Sequence, residues 1–157
     1  MSDQGDQVKR LLERLDAAWS AFKESYAGVP DSHLVEPGVV DDWSVKDILA
    51  HVTTWEEEAL KHLPLLIAGG TPSRYAAQGG IDAFNARATE HGRGLSLAEV
   101  LRRQEETHAR LVDFIRSQPE GTFGSQMRAR RRLRLDTYSH YPEHTAAIRA
   151  WREGLFP

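Results

Sequence analysis

The fold is decided first by residues 42–55, which read DWSVKDILAHVTTW. Ser44 is followed three residues later by Asp47, and this spacing is typical of a capping box, in which each side chain accepts a hydrogen bond from the other residue's backbone N–H. Trp43 and Ile48 occupy the two positions of a hydrophobic staple around that cap. The stretch therefore predicts a helix that starts directly after Ser44.

Outward from this stretch, apolar residues recur at steps of three and four, which is typical of amphipathic helices. We expect helices over residues 4–27, 45–68 and 97–117, and a last helical segment within 127–153. Ser96 and Glu99 form a second capping box at the start of the third helix. Residues 69–95, with a short helix expected over 81–88, are too long for a tight turn and predict a crossover or a lid. These four segments predict an all-α four-helix bundle.

Composition narrows the chemistry that the chain can perform. Its 157 residues predict a single domain over 1–157, and the absence of cysteine excludes disulfides, thiolate metal sites and cysteine nucleophiles. Seven histidines remain as the main source of metal or acid–base chemistry. A net charge of −3 argues against a nucleic-acid domain. Neither a signal-peptide pattern nor an apolar membrane span is recognised, so we expect a cytoplasmic protein without a membrane partner.

Two histidines, His140 and His144, are four residues apart, so on a helix their imidazoles project from one face about a turn apart. The pair alone is weak support for a metal site, because this spacing arises by chance in a chain with seven histidines. A partly exposed polar face explains it equally well. The residues between them also differ from the zinc-protease motif, since Glu143 directly precedes the second histidine.

A third histidine, His51, lies in the apolar stripe of the second long helix, between Ile48 and Trp55. A histidine buried there must be hydrogen-bonded, neutral or bound to a metal, and a satisfied core histidine is the plainer alternative. Helical bundles build metal sites from inward side chains of facing helices. Three neutral imidazoles would suit a divalent zinc, nickel or iron ion. Such a site keeps an open coordination position, which is typical of a reactive centre.

Residues 42–55 and 138–151 together resemble the DinB-like superfamily and, within it, the ClbS/DfsB branch; the similarity spans nearly the whole chain. The resemblance implies a four-helix bundle in an up-up-down-down order with a long crossover. It also implies a divalent metal on one histidine of the second helix and a His-x-x-x-His pair of the fourth, and it places His51, His140 and His144 in those positions. Relatives include thiol-dependent transferases and isomerases, and a hydrolase of a reactive cyclopropane.

Pro142 is a departure from a plain helical histidine pair. A proline at this position cannot donate a hydrogen bond to the carbonyl of Tyr138. Either the helix begins near Ser139 or it is kinked beside the proposed ligands, and both geometries could keep the two histidines convergent.

Further site candidates each have a plainer alternative as a core or paired residue. The catalytic candidates are Glu58 and His108. The substrate-binding candidates are Trp55, Asn85, Gln104 and Tyr138. His108 and Gln104 face inward on the third helix, where they could also orient a ligand imidazole. The other three histidines, His33, His62 and His91, are expected at the surface.

An arginine-rich run over residues 128–134 has more than one interpretation. It lacks interleaved aromatic residues, so a nucleic-acid partner is not expected. We expect a solvated face, with the alternative that one arginine clamps an anionic substrate or the carboxylate of a low-molecular-weight thiol.

The sequence thus predicts a metal-dependent enzyme in which the ion activates water or a diffusible thiol against a small electrophilic substrate. Hydrolysis, thiol transfer and isomerisation are the reaction types left open. The alternative is a non-catalytic bundle that sequesters an apolar ligand among aromatic side chains such as Trp19 and Trp43. A homodimer is compatible with the resemblance.

Overall fold

A computed structural model describes residues 3–157, with side chains from Gln7 onward. Its helices are α1 (Asp3–Tyr26), α2 (Asp31–Leu34), α3 (Val45–Ile67), α4 (Ile81–Arg93), α5 (Leu97–Ser117), α6 (Arg128–Asp136) and α7 (Tyr141–Leu155), with a 3₁₀ turn at Tyr75–Gln78. The described part of the chain contains no strand beyond an isolated bridge between Val40 and Trp43, so the all-α prediction is confirmed. No helix among these residues combines the length and the apolar character needed to cross a membrane.

Both predicted capping boxes are present. The Asp47 N–H donates to Ser44 Oγ at 3.1 Å, and the Ser44 N–H donates to Asp47 Oδ2 at 3.0 Å. Ser96 and Glu99 exchange the same pair of bonds at the start of α5. Because four N–H groups at a helix start lack a partner inside the helix, these boxes fix where α3 and α5 begin.

Two apolar clusters divide the bundle along its length. One joins the second half of α1 to the first half of α3 and to Val100 near the start of α5. The other joins Leu11 and Leu15 of α1 to the second halves of α3 and α5. Helix α1 therefore runs antiparallel to α3 and α5, which are parallel to each other. The Arg152 guanidinium bonds the carbonyl of Ser25 at 3.2 Å, and Arg14 lies over Tyr138, so α6 and α7 run along α1.

The four-helix bundle and its long crossover are confirmed, whereas the helix order is up-down-down-up rather than the expected up-up-down-down. The reason lies in the connections. Residues 27–44 join α1 to α3 at one end of the bundle, so these helices must reverse direction. Residues 68–96 then carry the chain back along the bundle, which makes α3 and α5 parallel.

The crossover contains the 3₁₀ turn and α4, which is longer than the helix expected over residues 81–88. Helix α4 packs closely on α3: a Cβ added at Gly92 would lie 3.0 Å from the Cβ of Ala50. Since such a contact forces a shift, glycine permits this close approach of the two helices.

The fourth segment is not one continuous helix. Helix α6 ends at Asp136 and α7 begins at Tyr141, so that Pro142 lies in the first turn of α7. A proline is tolerated there because its missing N–H would have no partner inside the helix. Of the two geometries expected at Pro142, the structure has the one in which a new helix begins beside the histidines.

We expect Ser44→Ala to lower the free energy of unfolding by about 1 kcal/mol, because it removes the acceptor for the Asp47 N–H at the start of α3. Denaturant unfolding followed by circular dichroism measures this. Ser125→Ala, at an exposed position outside the helices, is the control and should change stability by less than about 0.5 kcal/mol. Equal stability of the two variants would contradict the assigned cap.

Candidate metal centre

Three histidine side chains converge where α3 meets the break between α6 and α7. The Nε2 atom of His140 lies 3.1 Å from Nε2 of His51 and 3.0 Å from Nε2 of His144. One nitrogen from each ring lies within 4.8 Å of the others. His51 is buried, whereas His140 and His144 are partly exposed, so the cluster is open to solvent on the side of α7.

The three imidazoles are held in the neutral form. Burial lowers the pKa of His51 to about 3, and repulsion from the two other histidines adds to the effect. Burial likewise lowers the pKa of His140 and that of His144 to about 4. Neutral imidazole is the form that binds a metal ion, because protonation removes the lone pair.

The donor set fits a divalent cation. A neutral imidazole has one N–H donor and one lone pair, so His140 Nε2 either donates or accepts and cannot form good hydrogen bonds to both neighbours at once. A cation between the three nitrogens would satisfy all three lone pairs. In a tetrahedral site with bonds of about 2.0–2.1 Å, ligand nitrogens lie roughly 3.3 Å apart, close to the separations of His140 Nε2 from the Nε2 atoms of His51 and His144.

Two residues that sequence reasoning gave no role at the metal lie beside the cluster. The Trp43 ring centroid is 5.0 Å from that of His51 and covers one side of this ligand candidate. The Glu143 carboxylate is 3.6 Å from His144 Nε2 and is largely exposed, at the open side of the site. Its position directly before His144 in the sequence was the available signal.

Trp55 and Asn85, both predicted to bind substrate, are brought together. The Trp55 indole N–H donates to Asn85 Oδ1 at 2.9 Å. The indole also packs against Tyr75 and Phe84, with ring centroids 5.3 Å away in both cases. The crossover therefore covers the face of α3 one turn beyond His51.

Glu58, the catalytic candidate on α3, joins a polar network next to this aromatic group. Tyr75 donates to Glu58 at 3.1 Å and accepts from Arg132 at 2.6 Å, and Arg132 also bonds Asp136 at 2.6 Å. Burial raises the pKa of Asp136 to about 6, against the opposing effect of Arg132. Glu58 thus acts on Tyr75 and on His62 rather than on the histidine cluster.

The expected surface position of His62 is wrong, because its side chain lies 3.4 Å from Glu58 and only 4% of the residue is exposed. His62 also packs against the Tyr75 ring, with the ring centroids 6.2 Å apart, and this contact depends on how the crossover folds back on α3. His91 is exposed as expected, and His33 is partly exposed beside Glu36.

His108, Gln104 and Tyr138 are placed in the bundle interior. His108 bonds the fully buried Glu56 at 3.0 Å and stacks on Trp19 at 3.8 Å. Glu56 in turn accepts from the Tyr141 hydroxyl at 2.7 Å, next in sequence to His140.

The two other interior candidates have their own neighbours. Gln104 donates to the Tyr26 hydroxyl at 2.7 Å. The buried Tyr138 hydroxyl has no hydrogen-bond partner among the described residues, and the Arg14 guanidinium lies 5.5 Å from its ring centroid. None of these three side chains bonds a histidine of the cluster within residues 7–157.

The fold and the cluster define a helical-bundle protein with a candidate three-histidine metal centre. The chain belongs to the DinB superfamily, whose family model matches residues 14–151. It is similar to a solved structure described as Sibling Lethal Factor Precursor - DfsB, with a TM-score of 0.73, 16% sequence identity and 99% of each chain covered. At that identity the likeness concerns the fold. No curated protein matches the chain.

We expect His51, His140 and His144 to stay neutral down to about pH 5 in chelator-treated protein, because their pKa values of about 3 to 4 lie below the ordinary value of 6.5. Imidazole ¹⁵N chemical shifts measure each titration. The same histidines protonate near pH 6.5 in the unfolded chain, so their contribution to stability is present above that pH and is lost as the pH falls toward 4. Three titration midpoints near 6.5 would contradict the structure.

Proposed function

We propose that this protein is a divalent-metal-dependent enzyme that directs water or a low-molecular-weight thiol at a small electrophile. The observation that carries the proposal is the convergence of three neutral imidazole nitrogens within 4.8 Å on a partly exposed face. Three protein ligands and an open side are typical of catalytic rather than structural metal sites. Zinc, nickel and iron all suit imidazole donors.

The three histidines and Glu143 would have different roles in this reaction. His51, His140 and His144 would hold the ion, which when bound supplies Lewis acidity that lowers the pKa of water or of a thiol. Glu143, at the open side, would accept the proton of the attacking water or thiol. As the oxygen of water or the sulfur of the thiol bonds to the electrophilic atom, the bond between the electrophilic atom and the leaving atom breaks. The leaving atom then takes a proton from solvent. Because the chain has no cysteine, any thiol must come from solution.

The competing proposal is a non-catalytic bundle that sequesters a small molecule. The aromatic wall of Trp55, Tyr75 and Phe84 supports ligand binding in either case. The lowered pKa values and the convergence of the three imidazoles favour the enzyme. Burying three polar rings together costs free energy that an apolar binding site would avoid.

We expect untagged protein, purified without chelator, to retain a divalent ion, and His51→Ala or His140→Ala to reduce the bound metal at least about tenfold. Metal analysis by mass spectrometry, with circular dichroism to confirm the fold, measures this. His91→Ala changes an exposed histidine and should leave the metal content unaltered. A metal-free wild type that also takes up no added ion would overturn the proposal and favour the sequestering bundle.

We expect Glu143→Gln to lower kcat on a small epoxide such as styrene oxide by about 100-fold, while the bound metal stays the same, because a general base contributes on the order of 10² to 10⁴ in rate. Assays with and without glutathione separate the diol of hydrolysis from the thioether of thiol transfer. Glu153→Gln, exposed near the end of α7, is the matched control. Equal kcat for both variants would remove Glu143 from the mechanism.

A further inference from the structure

A second concave site lies between the crossover and α6. It has a volume of about 530 Å³, within the range of small-molecule pockets. Leu66, Pro72, Ile81 and Leu135 form its apolar walls. Ile81 and Leu135 are each about half exposed, at 53% and 51%, so the walls offer apolar surface to a ligand. We call this site the arginine cleft, for the residues described next.

The lining of the arginine cleft is strongly cationic. It includes Arg74, Arg128, Arg131 and Arg132 and contains no acidic residue. Arg128 is held by the carbonyl of Gly70 at 2.9 Å, and Arg132 by Asp136 and Tyr75. These contacts fix two guanidinium groups in place and leave most of the positive charge uncompensated.

The other two arginines are available to a ligand. The side chains of Arg74 and Arg131 are exposed and make no hydrogen bond or ion pair with any side chain or backbone group among residues 7–157. Guanidinium groups pair with carboxylate, sulfonate and phosphate in a two-pronged geometry. Apolar walls combined with free guanidinium groups fit a ligand that has an apolar body and an anionic group.

The arginine cleft adjoins the histidine cluster through Trp55. Trp55 follows His51 by one helical turn, a rise of about 5–6 Å. The Arg132 guanidinium lies 5.9 Å from the Trp55 ring centroid, and the Tyr75 ring lies 5.3 Å from it. Tyr75 and Arg132 also line the cleft, so its inner wall reaches the turn of α3 that follows His51.

We propose that the arginine cleft binds a small amphipathic anion and that molecules of this class are substrates of the enzyme. The assignment as substrate rests on the proposed function, whereas the binding of the anion does not. A concave site of this volume fits a single small molecule better than a membrane surface, which would contact a convex or flat face.

The test uses the full chain and two fluorescent probes of similar shape: 1-anilinonaphthalene-8-sulfonate, an anion, and N-phenyl-1-naphthylamine, which is neutral. In the double variant Arg74→Gln/Arg131→Gln we expect the Kd of the anionic probe to rise at least about tenfold, and that of the neutral probe to change less than about twofold. Arg110→Gln/Arg149→Gln removes two exposed arginines outside the cleft and is the matched control.

Three outcomes would overturn the proposal: unchanged affinity for the anionic probe, equal loss for both probes, or an effect seen only as co-sedimentation with phosphatidylserine vesicles. Chelator-treated protein should bind the anionic probe as the untreated protein does. If metal analysis is negative but the probe result holds, the proposed enzyme fails and the anion site stands. If metal binds but the probe result fails, the enzyme stands and this substrate class falls.

Discussion

Pro142 has no backbone N–H, and that missing donor constrains where the helix that carries His144 begins. Helix α6 cannot continue through Pro142 without strain. It ends at Asp136, and α7 begins at Tyr141. The break places His140 at the cap of α7 and His144 in its first turn, with both rings directed at α3. The imidazoles of His140 and His144 therefore meet that of His51 at the break between two helices.

Helix α3 connects the histidine cluster to the crossover and to the bundle interior. One of its faces carries His51 and, one turn on, Trp55, and then Glu58 with its link to the crossover. Another face sends Glu56 into the interior, where His108 and the Tyr141 hydroxyl bond it. Since Tyr141 is next to His140, that buried contact ties the start of α7 to α3. The hydrogen-bonded interior around Glu56 and the face of α3 that carries His51 therefore both contact the start of α7.

Much of this architecture could be predicted from local sequence, because caps and apolar spacing depend on neighbouring residues. The helix starts at Ser44 and Ser96 belong to this class. The joint placement of His51 with His144 and with His140, which is 89 residues from His51, was instead implied by the family resemblance. The up or down direction of each helix could not be predicted in the same way. An apolar stripe has the same spacing in either direction, and only long-range packing determines how a helix is oriented in the bundle. The burial of His62 and the grouping of Tyr75 with Arg132 were equally hidden, since each depends on how the crossover folds back on α3.

The route of the chain has a consequence for how such a protein can change. The three histidines come from α3 and the start of α7, whereas Tyr75, Ile81 and Asn85 come from the crossover. The crossover rests on α3 through the close contact of Gly92 with Ala50 and through side-chain bonds from Asn85 to Trp55 and from Tyr75 to Glu58. Substitutions between residues 68 and 96 that keep these contacts would therefore change the aromatic and apolar surface beside the histidine cluster, while the helices that carry the three histidines stay in place.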